Sequence, residues 1–344
     1  GNLVFELPIA STVSERAPVT LAAYFNTYCA GERVGTGTGD EFKELRTTIG
    51  RGWRLNYQQT VLPSTEYGLT GKDAENYPYV YTDGDGTEHY IRKVIENEGE
   101  SDEKITYEDE DGLGLTLTTA TSGYTYKLTT KLDSQYLFNA KGNLFRVVDS
   151  NGNQINIEYF DASGSLPEKS RIKSITDGVG HKYTFEYYSN DYVEKITDNA
   201  GRTVEFNINE GHLISVLYSD KRTTKIVYED TDEGLINYVE AHESYKLNFN
   251  YTSKAKGRRI SSIREYGKSS SLGQKMTFDY SKYNQTVIRS CGVDGVFDNN
   301  DDILKTYQFD NWGKLISQKV ALANGSQSVA GNASYVNQTN EENK

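Results

Sequence analysis

Between roughly Tyr136 and Gln318 the chain returns again and again to one pattern, three apolar residues separated by polar ones. The triplets are Ile155/Ile157/Tyr159, Tyr183/Phe185/Tyr187, Val204/Phe206/Ile208, Thr224/Ile226/Tyr228, Leu247/Phe249/Tyr251 and Met276/Phe278/Tyr280. Polar residues fill the gaps, as with Asn156 and Glu158 or Thr184 and Glu186. Strict alternation predicts a strand with one buried face and one wet face. Recurrence at intervals of 20 to 29 residues predicts a repeat architecture in place of a globular enzyme core. Such arrays supply surface or enclosure before they supply catalysis.

Each triplet has a partner. Upstream lie the apolar pairs Leu144/Val147, Ile172/Ile175, Val193/Ile196, Leu213/Val216, Ile236/Val239 and Ile260/Ile263, each with a spacing of three residues. Turn sequences such as Asp149-Ser-Asn-Gly152, Asp177-Gly-Val-Gly180 and Asp198-Asn-Ala-Gly201 follow. The unit is therefore a β-hairpin, which cannot bury its apolar face alone but can do so beside stacked neighbours. A spacing of three breaks the period of two and predicts a bulge or bend in the first arm.

Residues 1–130 depart from this repeat. Pro18–Tyr28 and Gly50–Leu62 read as strands, the second beginning at the Gly-flanked Trp53, and Glu32–Asp40 reads as a flexible loop. Tyr79–Thr82 and Glu88–Arg92 form a hairpin around Asp83-Gly84-Asp85-Gly86, since Asp-Gly turns suit the twist of paired strands. Lys104–Glu108 and Leu113–Thr118 make a second hairpin, and Tyr124–Thr130 one further strand. The boundaries predicted are a β-rich lead-in over 1–130, a hairpin array over 131–320, and a linker or disordered tail over 321–344. In that last stretch periodicity gives way to Asn, Ser and Gly.

Composition supports an all-β chain. Tyr is the outlier, 27 against 12 Phe and 2 Trp, and it favours strands with its ring on an apolar face and its hydroxyl reaching water. With 31 Gly and 5 Pro among 344 residues, short strands and tight turns are expected. A net charge of −12 repels phosphate backbones, which argues against nucleic acid as a partner. Cys29 and Cys291 are too few and too far apart for a disulfide framework or a zinc site. No apolar run approaches the ~18 residues of a membrane span, and the missing initiator Met suggests a piece of a longer polypeptide.

Tyr136-Leu-Phe-Asn-Ala-Lys-Gly142-Asn-Leu144 and Tyr307-Gln-Phe-Asp-Asn-Trp-Gly313-Lys-Leu315 resemble the Y-x-F-D-x-x-G-x-L element of the RHS/YD-repeat family. The Asp-x-x-Gly turns and the hairpins closing on Tyr or Phe are similar to the same repeat. Pro18-Val19-x-Leu21, Tyr24-x-Asn26 and Gly50-x-Gly52-Trp53 resemble the segment that leads into such arrays. The resemblance implies a β-sheet strip that can curl into a hollow shell. In bacterial toxins and wall-associated members that shell encloses or displays a variable C-terminal effector; related animal proteins use similar repeats in adhesion, and the repeats have been linked to carbohydrate binding. The self-cleaving segment of toxin-type members has no visible counterpart here, and neither does an effector. With so few repeats an open, curved sheet or partial shell is expected.

Candidate chemistry is sparse. The chain has no G-x-S-x-G elbow, P-loop or HExxH motif. Gly35-Thr-Gly37-Thr-Gly39-Asp40 lacks the spacing of a dinucleotide loop. His89, His181, His212 and His242 have no Cys or second His at ligand spacing and read as surface residues. Asp83 and Asp85 read as turn residues. Asp298, Asn300 and Asp302 share the alternation that opens an EF-hand loop, so Ca²⁺ is the one cofactor worth weighing. Ile303 and Phe309 stand where that loop needs Gly and Glu, which favours a solvated turn. Carboxylate pairs for glycoside hydrolysis need a defined separation that the sequence does not supply. Tyr183, Phe185 and Tyr187 belong to the core face. Tyr188, Tyr192, Tyr266 and Tyr283 fall outside the triplet phase and are the candidates for exposed contact with carbohydrate.

The expectation is thus a non-enzymatic, structural or display segment of a larger secreted, extracellular or cell-wall-associated RHS-repeat protein. Its partners would be the remaining repeats and the C-terminal effector of the parent polypeptide. The second reading is a carbohydrate-binding adhesion module for cell-surface or wall polysaccharide. Neither involves nucleic acid or membrane insertion.

Overall fold

The computed structural model describes residues 2–31, 48–160, 171–231, 234–253, 258–311, 314–325 and 328–332. The expected loop Glu32–Asp40, Trp312 and Gly313 of the second repeat motif, and residues 333–344 of the expected tail lie outside them. The protein is all-β. Twenty-three strands, from Thr60–Pro63 to Ser328–Asn332, form one long antiparallel sheet in which each strand neighbours the next in sequence.

The triplets occupy second arms, as their alternation requires. In Gln154–Tyr159, Lys182–Tyr187 and Thr203–Asn209 the buried positions are Ile155 and Ile157, Tyr183 and Phe185, Val204 and Phe206. The first arms carry the expected irregularity. Pairing slips between Glu158↔Ser174 and Tyr159↔Ile172, between Glu186↔Lys195 and Tyr187↔Val193, between Asn207↔Ser215 and Ile208↔Leu213, and between Asn250↔Ser262 and Tyr251↔Ile260. Each slip places one extra residue in the first arm, so residues three apart face the same side. Ile172 with Ile175, Val193 with Ile196 and Leu213 with Val216 are accordingly all buried.

One turn chemistry joins the arms. Asp149 Oδ1 accepts the N–H groups of Asn151 and Asn153 at 2.9 and 2.8 Å, and Gly152 takes φ 82°. Asp177, Asp198 and Asn139 repeat this with Gly180, Gly201 and Gly142. The side-chain oxygen replaces missing ladder partners, and glycine supplies the left-handed residue. Asp83 does the same for Asp85 and Thr87, with Gly86 at φ 91°. The turn grammar of the array therefore begins inside the expected lead-in, and strand pairing runs without a break across residue 130.

Ahead of the long sheet lies a three-stranded one, Val4–Ser11, Thr20–Asn26 and Trp53–Leu55, built on buried Leu21, Phe25, Trp53 and Leu55. Trp53 packs against Phe25 and Phe5, with ring centroids 5.4 and 6.2 Å apart. The first strand was not legible in the sequence. The single strand expected over Gly50–Leu62 is instead two, Trp53–Leu55 in this sheet and Thr60–Pro63 in the long one. Between them the Gln58 N–H returns to the Leu55 carbonyl at 2.8 Å, and Asn56 spends its side chain on Ala22 N and Thr20 O. These polar residues find better partners in a turn than in a continuous ladder.

The segment around this break binds the hairpin ends. Leu144 N donates to Gln59 O, Val61 N to Gly142 O, Val193 N to Thr48 O and Arg51 N to Gly211 O, at 2.7 to 3.1 Å. It gives partners to backbone groups at the bulged starts of the hairpins, which a buried end requires.

Two compact units are present, Asn2–Thr223 with Asp230–Leu235, and Thr224–Glu229 with Ile236 onward. In the second unit the repeat pattern outlasts its burial. Met276, which opens the sixth triplet, is 38% exposed. Among the described residues after Ile260, only Cys291 and Asp302 are buried. The apolar face of the later hairpins, with Phe278, Ile288 and Tyr307, is only half-buried. The expected tail also begins differently, because Ser328–Asn332 is a strand paired with Leu315–Leu322.

Candidate functional site

The four tyrosines expected to be exposed divide between the two units, Tyr188 and Tyr192 in the first and Tyr266 and Tyr283 in the second. Tyr188 and Tyr192 flank a single turn, where Tyr188 N donates to Tyr192 O at 2.8 Å and the Tyr188 hydroxyl donates to Phe206 O at 2.9 Å. Tyr188 is 37% exposed, and Tyr192 is half-buried. In the second unit Tyr266 is a half-buried strand residue opposite Lys246, and Tyr283 is 86% exposed in the loop before Gln285–Ser290.

The tyrosines that end the triplets have a more regular role. The hydroxyls of Tyr159, Tyr187 and Tyr251 donate to the carbonyls of Leu144, Ile172 and Ile236 at 2.7, 2.8 and 2.9 Å. In each case the acceptor is the first apolar residue of the bulged arm, so tyrosine closes the open end of its own hairpin. Burial pushes the Tyr187 and Tyr251 phenols well above their ordinary range. They are neutral donors at physiological pH.

The structure brings Asp298 and Asp302 together around Arg289. Its Nε lies 2.6 Å from Asp302 Oδ2 and its Nη1 lies 2.9 Å from Asp298 Oδ1. Asp302 Oδ2 also accepts the N–H groups of Asp298 and Asn299. Burial would raise the Asp302 carboxyl, but Arg289 and the two backbone donors outweigh it and hold it below its usual range. Phe297 covers the pair, 5.3 Å from the Arg289 guanidinium and 4.5 Å from Lys275 Nζ. Asn300 is exposed, and its carbonyl accepts Asn324 N. Among the described residues no three His, Cys, Asp or Glu side chains are grouped to hold a metal ion. Arg289 supplies the positive charge that meets Asp298 and Asp302.

Two histidines differ from the expected surface setting. His212 is buried, with Nδ1 3.0 Å from the Glu210 carbonyl. His89 is buried beside Ile91 on the inward face of Glu88–Glu96. Its Nδ1 lies 2.7 Å from Asp111 Oδ2 and its Nε2 3.1 Å from Asp83 Oδ2, while its ring stacks on Tyr81 with centroids 5.6 Å apart. The period-two match with Ile91 was the available signal.

A further aromatic group escaped the sequence. Tyr79 meets Tyr107 and Tyr126, each with ring centroids 5.4 Å apart, and all three are half-buried. They come from three strands that are not sequential neighbours, so no local pattern joins them.

No protein-family model matches the chain, and no curated protein matches it. Among solved structures, a crystal structure of TcdB2-TccC3 is similar at 10% identity and a TM-score of 0.29, over 80% of this chain and 21% of that one. A crystal structure of TcdB2-TccC3 without its hypervariable C-terminal region gives 9% identity and a TM-score of 0.26, over 82% of this chain and 21% of that one. A porin-like protein from Bacteroides uniformis gives 14% identity and a TM-score of 0.18, over 63% of this chain and 91% of that one. The chain thus spans about a fifth of the TcdB2-TccC3 chain.

Proposed function

We propose that this chain is a non-catalytic structural segment of a larger RHS-repeat-like protein, secreted or wall-associated, in which it forms part of a β-shell that encloses or presents an effector. One observation carries the reading. The later hairpins have an amphipathic pattern but almost no buried side chain among the described residues after Ile260. A sheet with one apolar face needs a covering layer, and we assign that layer to the remaining repeats. The last described strand, Ser328–Asn332, is paired on one side by Leu315–Leu322; a further hairpin would extend the ladder there.

The second reading, a carbohydrate-binding module, draws its support from Tyr79, Tyr107 and Tyr126, whose partly exposed rings offer stacking faces. A panel of glycans and wall polysaccharides separates the two. The structural reading predicts no saturable binding. Saturable binding that is lost in Tyr79→Ala, Tyr188→Ala or Tyr266→Ala would overturn it in favour of adhesion.

A further inference from the structure

The Asp83–Thr87 turn is also a foothold for the N-terminal sheet. Asn26, at the end of Thr20–Asn26, donates its Nδ2 to the Asp85 carbonyl at 3.1 Å. Asp83 sets the shape of that turn, because its Oδ1 accepts the N–H groups of Asp85 and Thr87 at 3.0 and 3.1 Å. Its other oxygen faces His89 Nε2, and His89 Nδ1 faces Asp111 in the loop between Lys104–Asp109 and Thr116–Thr119. A neutral imidazole has one N–H and one lone pair, so it cannot donate to both carboxylates. An imidazolium can.

We propose that His89 is a protonation-dependent latch, whose imidazolium ties Asp83 to Asp111 and so holds the 83–87 turn in the shape that seats the N-terminal sheet on the first hairpins. The groups around it favour a cation. Asp83 faces it from the turn, with Asp85 coupled to Asp83 behind it, Asp111 faces it from the neighbouring loop, and the Tyr81 ring stacks on it from Tyr79–Thr82. From the N-terminal sheet come Arg54, beside Gly86, and Tyr24 with its partner Glu6. Arg54 is the one cation among these named groups.

Burial lowers the His89 pKa, but Asp83 and Asp111 outweigh it and raise it above 6.5. The latch is therefore complete below 6.5 and weakens about tenfold per pH unit as pH rises toward the raised value. Burial raises Asp83, but His89 and the hydrogen bonds from Asp85 together outweigh it and the net shift is downward from 3.8, so its contribution is present above 3.8 and lost as pH falls through the lowered value. Asp85 is raised by burial and by Asp83 and works in the opposite sense, favouring the closed turn most when protonated.

The test is a nitrogen-resolved NMR titration of His89 in the whole chain, with amide protection at Asp85 and Thr87 followed from about pH 6 to about pH 9 and corrected for intrinsic exchange. The latch predicts a His89 midpoint above 6.5, both ring nitrogens protonated at the acid end, and protection that falls about tenfold per pH unit between the two values. In His89→Gln the protection should be lower and flat with pH. Asp111→Asn, which changes a half-exposed side chain, keeps the test decisive should His89→Gln fail to fold, and should lower the His89 midpoint. A wild-type midpoint at or below 6.5, a midpoint unmoved in Asp111→Asn, or the same protection profile in wild type and His89→Gln would overturn the proposal.

Discussion

Asp302 is fully buried, and its charge is tolerable because Arg289 and two backbone N–H groups meet it. Removing the cation leaves an uncompensated buried carboxylate. Arg289→Ala should therefore destabilise the chain by about 3 kcal/mol, read as a lower urea midpoint; a loss no larger than that of an exposed Arg→Ala change would contradict this account. The triplet tyrosines make a smaller contribution. Tyr187→Phe removes the hydroxyl's hydrogen bonds to the Ile172 carbonyl and the Thr48 side chain and should cost about 1–2 kcal/mol, whereas Tyr283→Phe, exposed, should cost almost nothing. The sequence showed that tyrosine recurs at the end of the second arm. It could not show the acceptor, because that carbonyl lies 15 residues away across the hairpin.

At the scale of the element, hairpin turns and bulges were both readable. Asp-x-x-Gly marked the turns at 149, 177 and 198, and apolar residues three apart marked bulges at Ile172/Ile175 and Val193/Ile196. The division of Gly50–Leu62 into two strands was not readable, since it depends on Asn56 finding partners on Thr20–Asn26. Two glycines of similar conformation separate local from tertiary demands. Gly152 has φ 82° and open space where a Cβ would go, whereas a Cβ at Gly142, φ 74°, would run into the Val61 carbonyl. Gly152→Ala should cost about 1–2 kcal/mol for the left-handed backbone. Gly142→Ala should cost about 1–3 kcal/mol more, because Val61 must also move. Equal unfolding midpoints for the two variants would contradict the docking of the Thr60–Pro63 strand on that turn.

At the scale of the molecule, the all-β hairpin strip was legible from periodicity, and its continuity across residue 130 was not. Asp83–Gly86 carries the array's turn chemistry, but the flanking strands lack the recurrent triplet, so the change in pattern predicts a boundary that strand pairing does not observe. The buried pairing of His89 with two loops was likewise hidden, because Asp83 and Asp111 are brought together only by the fold. The central claim is that the later hairpins present a face meant to be covered by further repeats. Its most direct test is hydrogen exchange across Gln285–Ser290, Ile303–Phe309 and Leu315–Leu322, in this chain alone and in the longer, repeat-bearing polypeptide that the proposal assigns to it. The account predicts at least about a hundredfold more protection of these strands in the longer chain, equivalent to about 2.7 kcal/mol of added local stability. Equal protection in the two would contradict it.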